Sequence, residues 1–172
     1  APGVTGEIQV RGPNVTPGYW NNAEATAATF DGEWLKTGDG GYQDEDGFLF
    51  VADRIKDMII SGGENIYPAE VEDLLFDHPK VAEVAVIGIA DDQWGERVCA
   101  VIAIAVDAPT LDELRDFVGG RLARYKLPRQ LEIVDSLPRN ATGKILKTDL
   151  RARFDQRQNG LEQHSVRSPR RD

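Results

Sequence analysis

The chain has 172 residues, 41% of them hydrophobic, with 20 basic against 29 acidic side chains for a net charge of −9. This excludes a fibrous or low-complexity chain and fits one or two modest domains whose core needs no disulfide or metal. The lone Cys99 excludes an internal disulfide, no apolar stretch approaches the roughly 18 residues of a membrane span, and the start at Ala1-Pro2 carries no leader, so a piece of a longer cytoplasmic protein is expected.

The charge is unevenly spread. Residues 1–120 hold 7 basic and 23 acidic side chains, whereas residues 121–157 hold 10 basic and 4 acidic. A confined basic segment suggests a local anionic ligand, though a solvated helix face gives the same pattern.

In chain order, GEIQVRG (6–12) alternates polar and apolar residues as a half-buried strand does. Asn21 to Phe30 can form a short Asn-capped helix. Asp44-Glu45-Asp46-Gly47 predicts a hairpin turn, and GFLFVADR a strand after it. YPAEVEDLLF predicts a helix, with Pro68 in its first turn and Val71, Leu74 and Leu75 on one face. VAEVAVIGIA and ERVCAVIAIAV predict neighbouring strands. Cys99, inside the second run, is expected to be a small buried hydrophobe. Thr110 and Glu113 form a capping box, before Leu111, Leu114, Phe117, Val118 and Leu122 at helical spacing. RQLEIVDSL predicts a third strand, and a short helix follows Lys147 to about Phe154. Residues 155–172 are nearly devoid of apolar side chains and are expected to be disordered. The result is an α+β chain: a β-rich piece over 1–52, a boundary at 53–57, and a domain over 58–154 with a short antiparallel sheet flanked by helices.

Three polar segments carry chemistry. In Lys36-Thr37-Gly38-Asp39-Gly40-Gly41 a carboxylate stands among glycines and can accept hydrogen bonds from a diol such as ribose; an Asx-capped turn explains the same residues. Ser61-Gly62-Gly63-Glu64-Asn65 lets backbone lie against a ligand, or is only a tight connection between a strand and a helix, which is slightly favoured. Pro138-Arg139-Asn140-Ala141-Thr142-Gly143-Lys144 ends in a lysine that can meet a developing anion as a mobile point charge, or simply be exposed. A phosphate-binding P-loop fails here, because Pro138 and Ile145 stand where Gly and Ser or Thr are required. His78 and His164 are the only histidines, so no metal constellation is visible, and no serine sits in a nucleophile elbow.

Taken together, GEIQVRGPNVTPGYW, KTGDGGYQDEDGFLFVADRIKDMIISGGENIYPAEVE, VIGIADDQWGERVCA and LARYKLPRQLEIVDSLPRNATGKILK resemble, in order and over residues 6 to about 154, the C-terminal third of an AMP-forming acyl-CoA synthetase of the adenylate-forming superfamily. That resemblance implies a parent enzyme that activates a carboxylic acid, expected to be a fatty acid, with ATP and Mg2+ and passes the acyl group to coenzyme A. It also implies that residues 1–52 end a large N-terminal domain that is the partner of the mobile domain 58–154. By the same resemblance Asp39 and Arg54 hold the AMP ribose, Lys56 is the hinge, and Lys144 serves adenylation. Gly62, Gly63 and Trp94 line the pantetheine tunnel, and Tyr125 and Lys126 meet the coenzyme A nucleotide. Leu127 replaces a basic residue of some relatives. The family's phosphate loop and acyl pocket lie upstream, so this piece is expected to be silent alone. The alternatives are a nonribosomal-type adenylation domain that loads a carrier protein, and a non-catalytic binding module; a nucleic-acid role for Arg167 to Arg171 is not expected.

Overall fold

In the computed structural model residues 2–154 are described, and the chain divides into two compact units, Ala1–Lys56 and Asp57–Asp172. The expected tail, with Arg157, His164 and Arg167 to Arg171, lies outside the described residues.

The first unit is an antiparallel sheet built around one long strand. It contains β1 (Gly6–Val10), α1 (Ala23–Thr29), β2 (Phe30–Asp31), β3 (Trp34–Gln43) and β4 (Leu49–Arg54), and a 3-10 turn at Ile55–Asp57 carries the chain across the boundary. Strand β3 pairs with β1, β2 and β4. Helix α1 starts where the Asn22 side chain accepts a hydrogen bond from the Ala25 amide at 2.9 Å. Between β3 and β4 the Asp44 carboxylate accepts from the amides of Asp46 and Phe48, which closes the hairpin that the sequence predicts.

One expectation fails here. The Lys36–Gly41 segment, for which an Asx-capped turn was one reading, lies inside β3. Gly41 answers to close packing: a Cβ there would stand 2.4 Å from the Phe50 carbonyl oxygen and 2.7 Å from Ile8. Only a residue without a side chain lets β1, β3 and β4 approach at that point.

The second unit wraps helices around a five-stranded sheet. Its elements are β5 (Ile59–Ser61), β6 (Glu64–Ile66), α2 (Pro68–Phe76), β7 (Val81–Asp91), β8 (Gly95–Ile104), α3 (Leu111–Val118), a 3-10 turn (Arg124–Lys126), β9 (Gln130–Val134) and the helical residues 147–154. Strand β8 pairs antiparallel with β7 from end to end, meets β5 at Ser61–Gly95, and pairs with β9 over Cys99–Ala103. The β8–β9 pairing is parallel, because the chain crosses over through α3 between the two strands, so the sheet expected to be antiparallel is mixed.

The long apolar runs follow from burial on both faces. Val84, Val86, Val98, Ala100 and Ile102 pack with Val71, Leu75, Leu114 and Val118, while Ala85, Ile87, Cys99 and Val101 pack on the other face with Leu137, Leu150 and Phe154. Cys99 is fully buried as expected, and burial pushes its thiol up to about 12. The capping box of α3 forms: Glu113 N–H donates to Thr110 Oγ1 at 3.2 Å and Thr110 N–H to Glu113 Oε2 at 2.7 Å. That backbone bond, with the Lys80 ammonium beside it, holds the Glu113 carboxyl below its ordinary value. No helix among the described residues is long and apolar enough to cross a membrane.

Candidate functional site

In the first unit, the β3–β4 register sets Asp39 opposite Arg54, and Arg54 Nε stands 3.2 Å from Asp39 Oδ1. Thr37 braces the same stretch by donating to the Ile8 carbonyl at 2.7 Å and accepting from the Asp39 amide at 3.1 Å. An exposed pair of this kind adds about 0–1 kcal/mol to stability, so its value is in aiming a carboxylate whose other lone pairs stay open. Lys56 is exposed in the 3-10 turn that follows.

In the second unit, Ser61-Gly62-Gly63-Glu64 is a two-residue β-hairpin between β5 and β6, where the sequence suggested a strand-to-helix connection. Gly62 and Gly63 have φ of 62° and 85°, the paired positive values that such a turn demands. Gly62 N–H donates to the Trp94 carbonyl at 2.8 Å, and a Cβ on Gly62 would meet the Trp94 ring at 2.9 Å. Trp94 is fixed from its own side by the Asp91 carboxylate, which accepts from the amides of Gln93 and Trp94. The Arg129 guanidinium lies 4.4 Å over the Trp94 ring. Gly62 and Trp94 are therefore neighbours, and a cation covers the indole.

Trp94 also lines a polar cleft of about 720 Å³ together with Tyr125, Arg97, Arg115, Arg124 and Arg129. Four guanidinium groups against the single carboxylate of Asp91 make it attractive to anions. Sequence reasoning missed these arginines as site residues; the charge excess of residues 121–157 pointed to Arg124 and Arg129 without separating them from their neighbours. Lys126, which was singled out, does not line this cleft: its Nζ is held by both oxygens of Glu70 at 2.6 and 2.7 Å.

Lys144 belongs to a third place. The polar segment that ends in Lys144 is a small hairpin, with an antiparallel bridge between Arg139 and Ile145 and Leu146 N–H donating to the Pro138 carbonyl at 2.8 Å. Its tip is tied by the Asn140 side chain, which accepts from the amides of Thr142 and Lys144 and from the Thr142 hydroxyl. Gly143, at φ 85°, closes a three-residue turn. Three cations lie on or beside this hairpin. Arg139 pairs with Glu83 and Lys147 with Glu72, whereas the Lys144 ammonium has no partner among the described residues.

The anchors give the spacing. Glu83 lies near the start of β7 and Asp91, which fixes Trp94, at its end. Eight residues of extended chain span roughly 26 Å. The Lys144 hairpin and the Gly62–Trp94 pair therefore sit at opposite ends of one strand. Among the described residues no group of three or more His, Cys, Asp and Glu is placed to hold a metal ion.

A lysine hairpin and a glycine–tryptophan turn thus stand towards the two ends of β7 in one small mixed sheet. The chain carries an AMP-binding enzyme C-terminal domain: the family model of that description matches residues 70–144. It is 53% identical over 152 residues to an indoleacetate–CoA ligase of Aromatoleum aromaticum, covering 87% of this chain and 30% of the relative. It is 51% identical over 150 residues to a 2-succinylbenzoate–CoA ligase of Bacillus cereus, covering 87% of this chain and 31% of the relative. The solved o-succinylbenzoate CoA synthetase of Bacillus subtilis, in complex with its acyl-adenylate intermediate, superposes with a TM-score of 0.81 at 49% identity, over 87% of this chain and 31% of that one. The chain thus spans about 30% of the length of the curated relatives it matches.

Proposed function

We propose that this chain is the C-terminal part of an AMP-forming acid–CoA ligase, with residues 1–52 ending a large N-terminal domain, 53–57 a hinge, and 58–154 a mobile domain that serves two half-reactions in turn. The observation that carries this is the placement of Lys144 and of Gly62–Trp94 at opposite ends of β7. Two groups so far apart on one rigid strand cannot enter the same reacting centre together. Rotation at Lys56 would present them one after the other.

In the first half-reaction a carboxylate oxygen of the acid attacks the α-phosphorus of ATP, the bond to the bridging oxygen breaks, and pyrophosphate leaves with the electron pair. Two anions meet in that step, and the unpaired Lys144 ammonium offsets the charge on the transferring centre. Asp39, steadied by Arg54, accepts hydrogen bonds from the ribose hydroxyls. Mg2+ enters with ATP. In the second half-reaction the coenzyme A sulfur attacks the acyl carbon, AMP leaves, and the thiol proton passes to solvent. Gly62 and Gly63 leave room for pantetheine beside Trp94, and the cleft of Arg97, Arg115, Arg124 and Arg129, with Tyr125 in its wall, receives the phosphates of the nucleotide. Lys126 is engaged by Glu70 and lies 5.8 Å from the centre of the Tyr125 ring, next to that cleft in sequence.

Support for the acid stops at the class. The fatty acid expected from the resemblance finds none in relatives named for indoleacetate and 2-succinylbenzoate, so the substrate is proposed as a carboxylic acid. Coenzyme A as acceptor is supported over a carrier protein because these relatives are CoA ligases. The test is Lys144→Ala in the full-length enzyme. Acid-dependent pyrophosphate exchange falls by on the order of 100- to 1000-fold, while thioester formation from supplied acyl-adenylate persists. Equal loss of both steps overturns the assignment.

A further inference from the structure

We infer that Arg139 is a positioning residue that holds Lys144 in register for adenylation, and that Glu83 is its anchor. This rests on the proposed role of Lys144. The Arg139 guanidinium forks: Nη1 donates to the carbonyl of Gly143 at 2.7 Å, and Nη2 donates to Glu83 Oε2 on β7. Gly143 is the residue immediately before Lys144, so one planar group ties the hairpin tip to the sheet. A planar fork with two charge-assisted bonds fixes direction as well as distance, which a single point charge cannot do.

The other side of the hairpin is tied separately. Lys147 Nζ lies 2.7 Å from Glu72 Oε1, which also accepts from the Val86 amide at 2.6 Å. Both partners there are largely buried, with side chains 13% and 21% exposed, and Leu137 and Ile145 add apolar support from the core. The stem of the hairpin therefore stays in place without Arg139. Arg139 and Glu83 are themselves more exposed, at 44% and 32%, and pairs of that kind contribute little to folding. Asn140 shapes the tip from within, and what Arg139 adds is the tie to β7 from that tip, where the Lys144 ammonium must meet a reacting phosphorus. Displacement of such a group by about 1 Å costs on the order of 100-fold in rate.

Both half-reactions, with melting, are to be measured on the full-length enzyme and on Lys144→Ala, Arg139→Ala, Arg139→Lys and Glu83→Ala. Arg139→Ala lowers kcat for adenylation by about 10- to 100-fold, leaves KM for ATP and acid within about twofold, leaves thioester formation from supplied acyl-adenylate unchanged, and shifts melting by only a few degrees. Glu83→Ala reproduces this pattern, and Arg139→Lys, which keeps a cation but loses the fork, falls between. If Lys144→Ala abolishes adenylation while Arg139→Ala does not slow it, the positioning role is wrong and the Lys144 assignment stands. If Lys144→Ala leaves adenylation intact, the Lys144 assignment itself is wrong. An equal fall of both half-reactions in Arg139→Ala marks a merely structural residue and also overturns the inference.

Discussion

Up to Lys56 no apolar side chain of the described residues is buried, whereas from Ile59 onward the sheet buries Val, Ile and Leu on both faces. Tyr42 and Phe50 stack on each other in the first unit yet stay open to solvent, and Phe48 and Val51 beside them are 68% and 66% exposed. The second unit closes its own core. The first unit does not, which under the proposed function is what the end of a larger domain looks like when its neighbours are upstream. The contrast teaches that one unit can hold geometry by its own packing, while the other holds Asp39 and Arg54 mainly through strand register and close glycine contact.

Four experiments press on that contrast, and the largest effect concerns Cys99. Its thiol is raised from 9.0 to about 12 by burial in the second unit, so the stability gained by keeping it protonated is fully present below about pH 9 and is lost as pH rises toward 12. At pH 8 a thiol reagent should label the folded chain on the order of 1000-fold more slowly than the unfolded one; fast labelling in native buffer would break the claim of a closed core. Ile102→Ala, at a fully buried position, should cost about 2–5 kcal/mol in chemical denaturation. Gly62→Ala places a side chain at φ 62° and against Trp94, and should cost about 1–3 kcal/mol together with slower thioester formation. Phe48→Ala should change the stability of this chain by less than about 0.5 kcal/mol. A larger cost for the same change in the full-length enzyme would sharpen the contrast, because it would locate the cover of that surface upstream.

What the sequence revealed follows the length scale of each signal. Helices α2 and α3 and strands β7 and β8 were legible because apolar period, Pro68 and the Thr110–Glu113 capping box act within a few residues. Strand β3 was hidden, since Gly38, Gly40 and Gly41 carry no strand pattern and only the fold brings Ile8 and the Phe50 carbonyl against Gly41. Three-residue strands β5 and β6 are too short for a period, so their hairpin was missed although its two glycines were noticed. The parallel direction of β9 depends on the crossover through α3, which no local pattern records. At the proposed sites, Asp39, Arg54, Gly62, Trp94 and Lys144 were singled out through co-linear motifs. The pairing of Lys126 with Glu70, 56 residues away, and the gathering of Arg97, Arg115, Arg124 and Arg129 around one cleft are products of the fold alone.

The central claim is that one small domain serves two chemical steps from opposite ends of β7, and the most direct measurement compares Lys144→Ala with Gly62→Ala in both half-reactions of the full-length enzyme. The account predicts opposite failures. Lys144→Ala loses acid-dependent pyrophosphate exchange and keeps thioester formation from supplied acyl-adenylate, while Gly62→Ala keeps exchange and slows thioester formation. If each variant impairs both steps to the same degree, the two ends of the strand do not divide the work, and the account is contradicted.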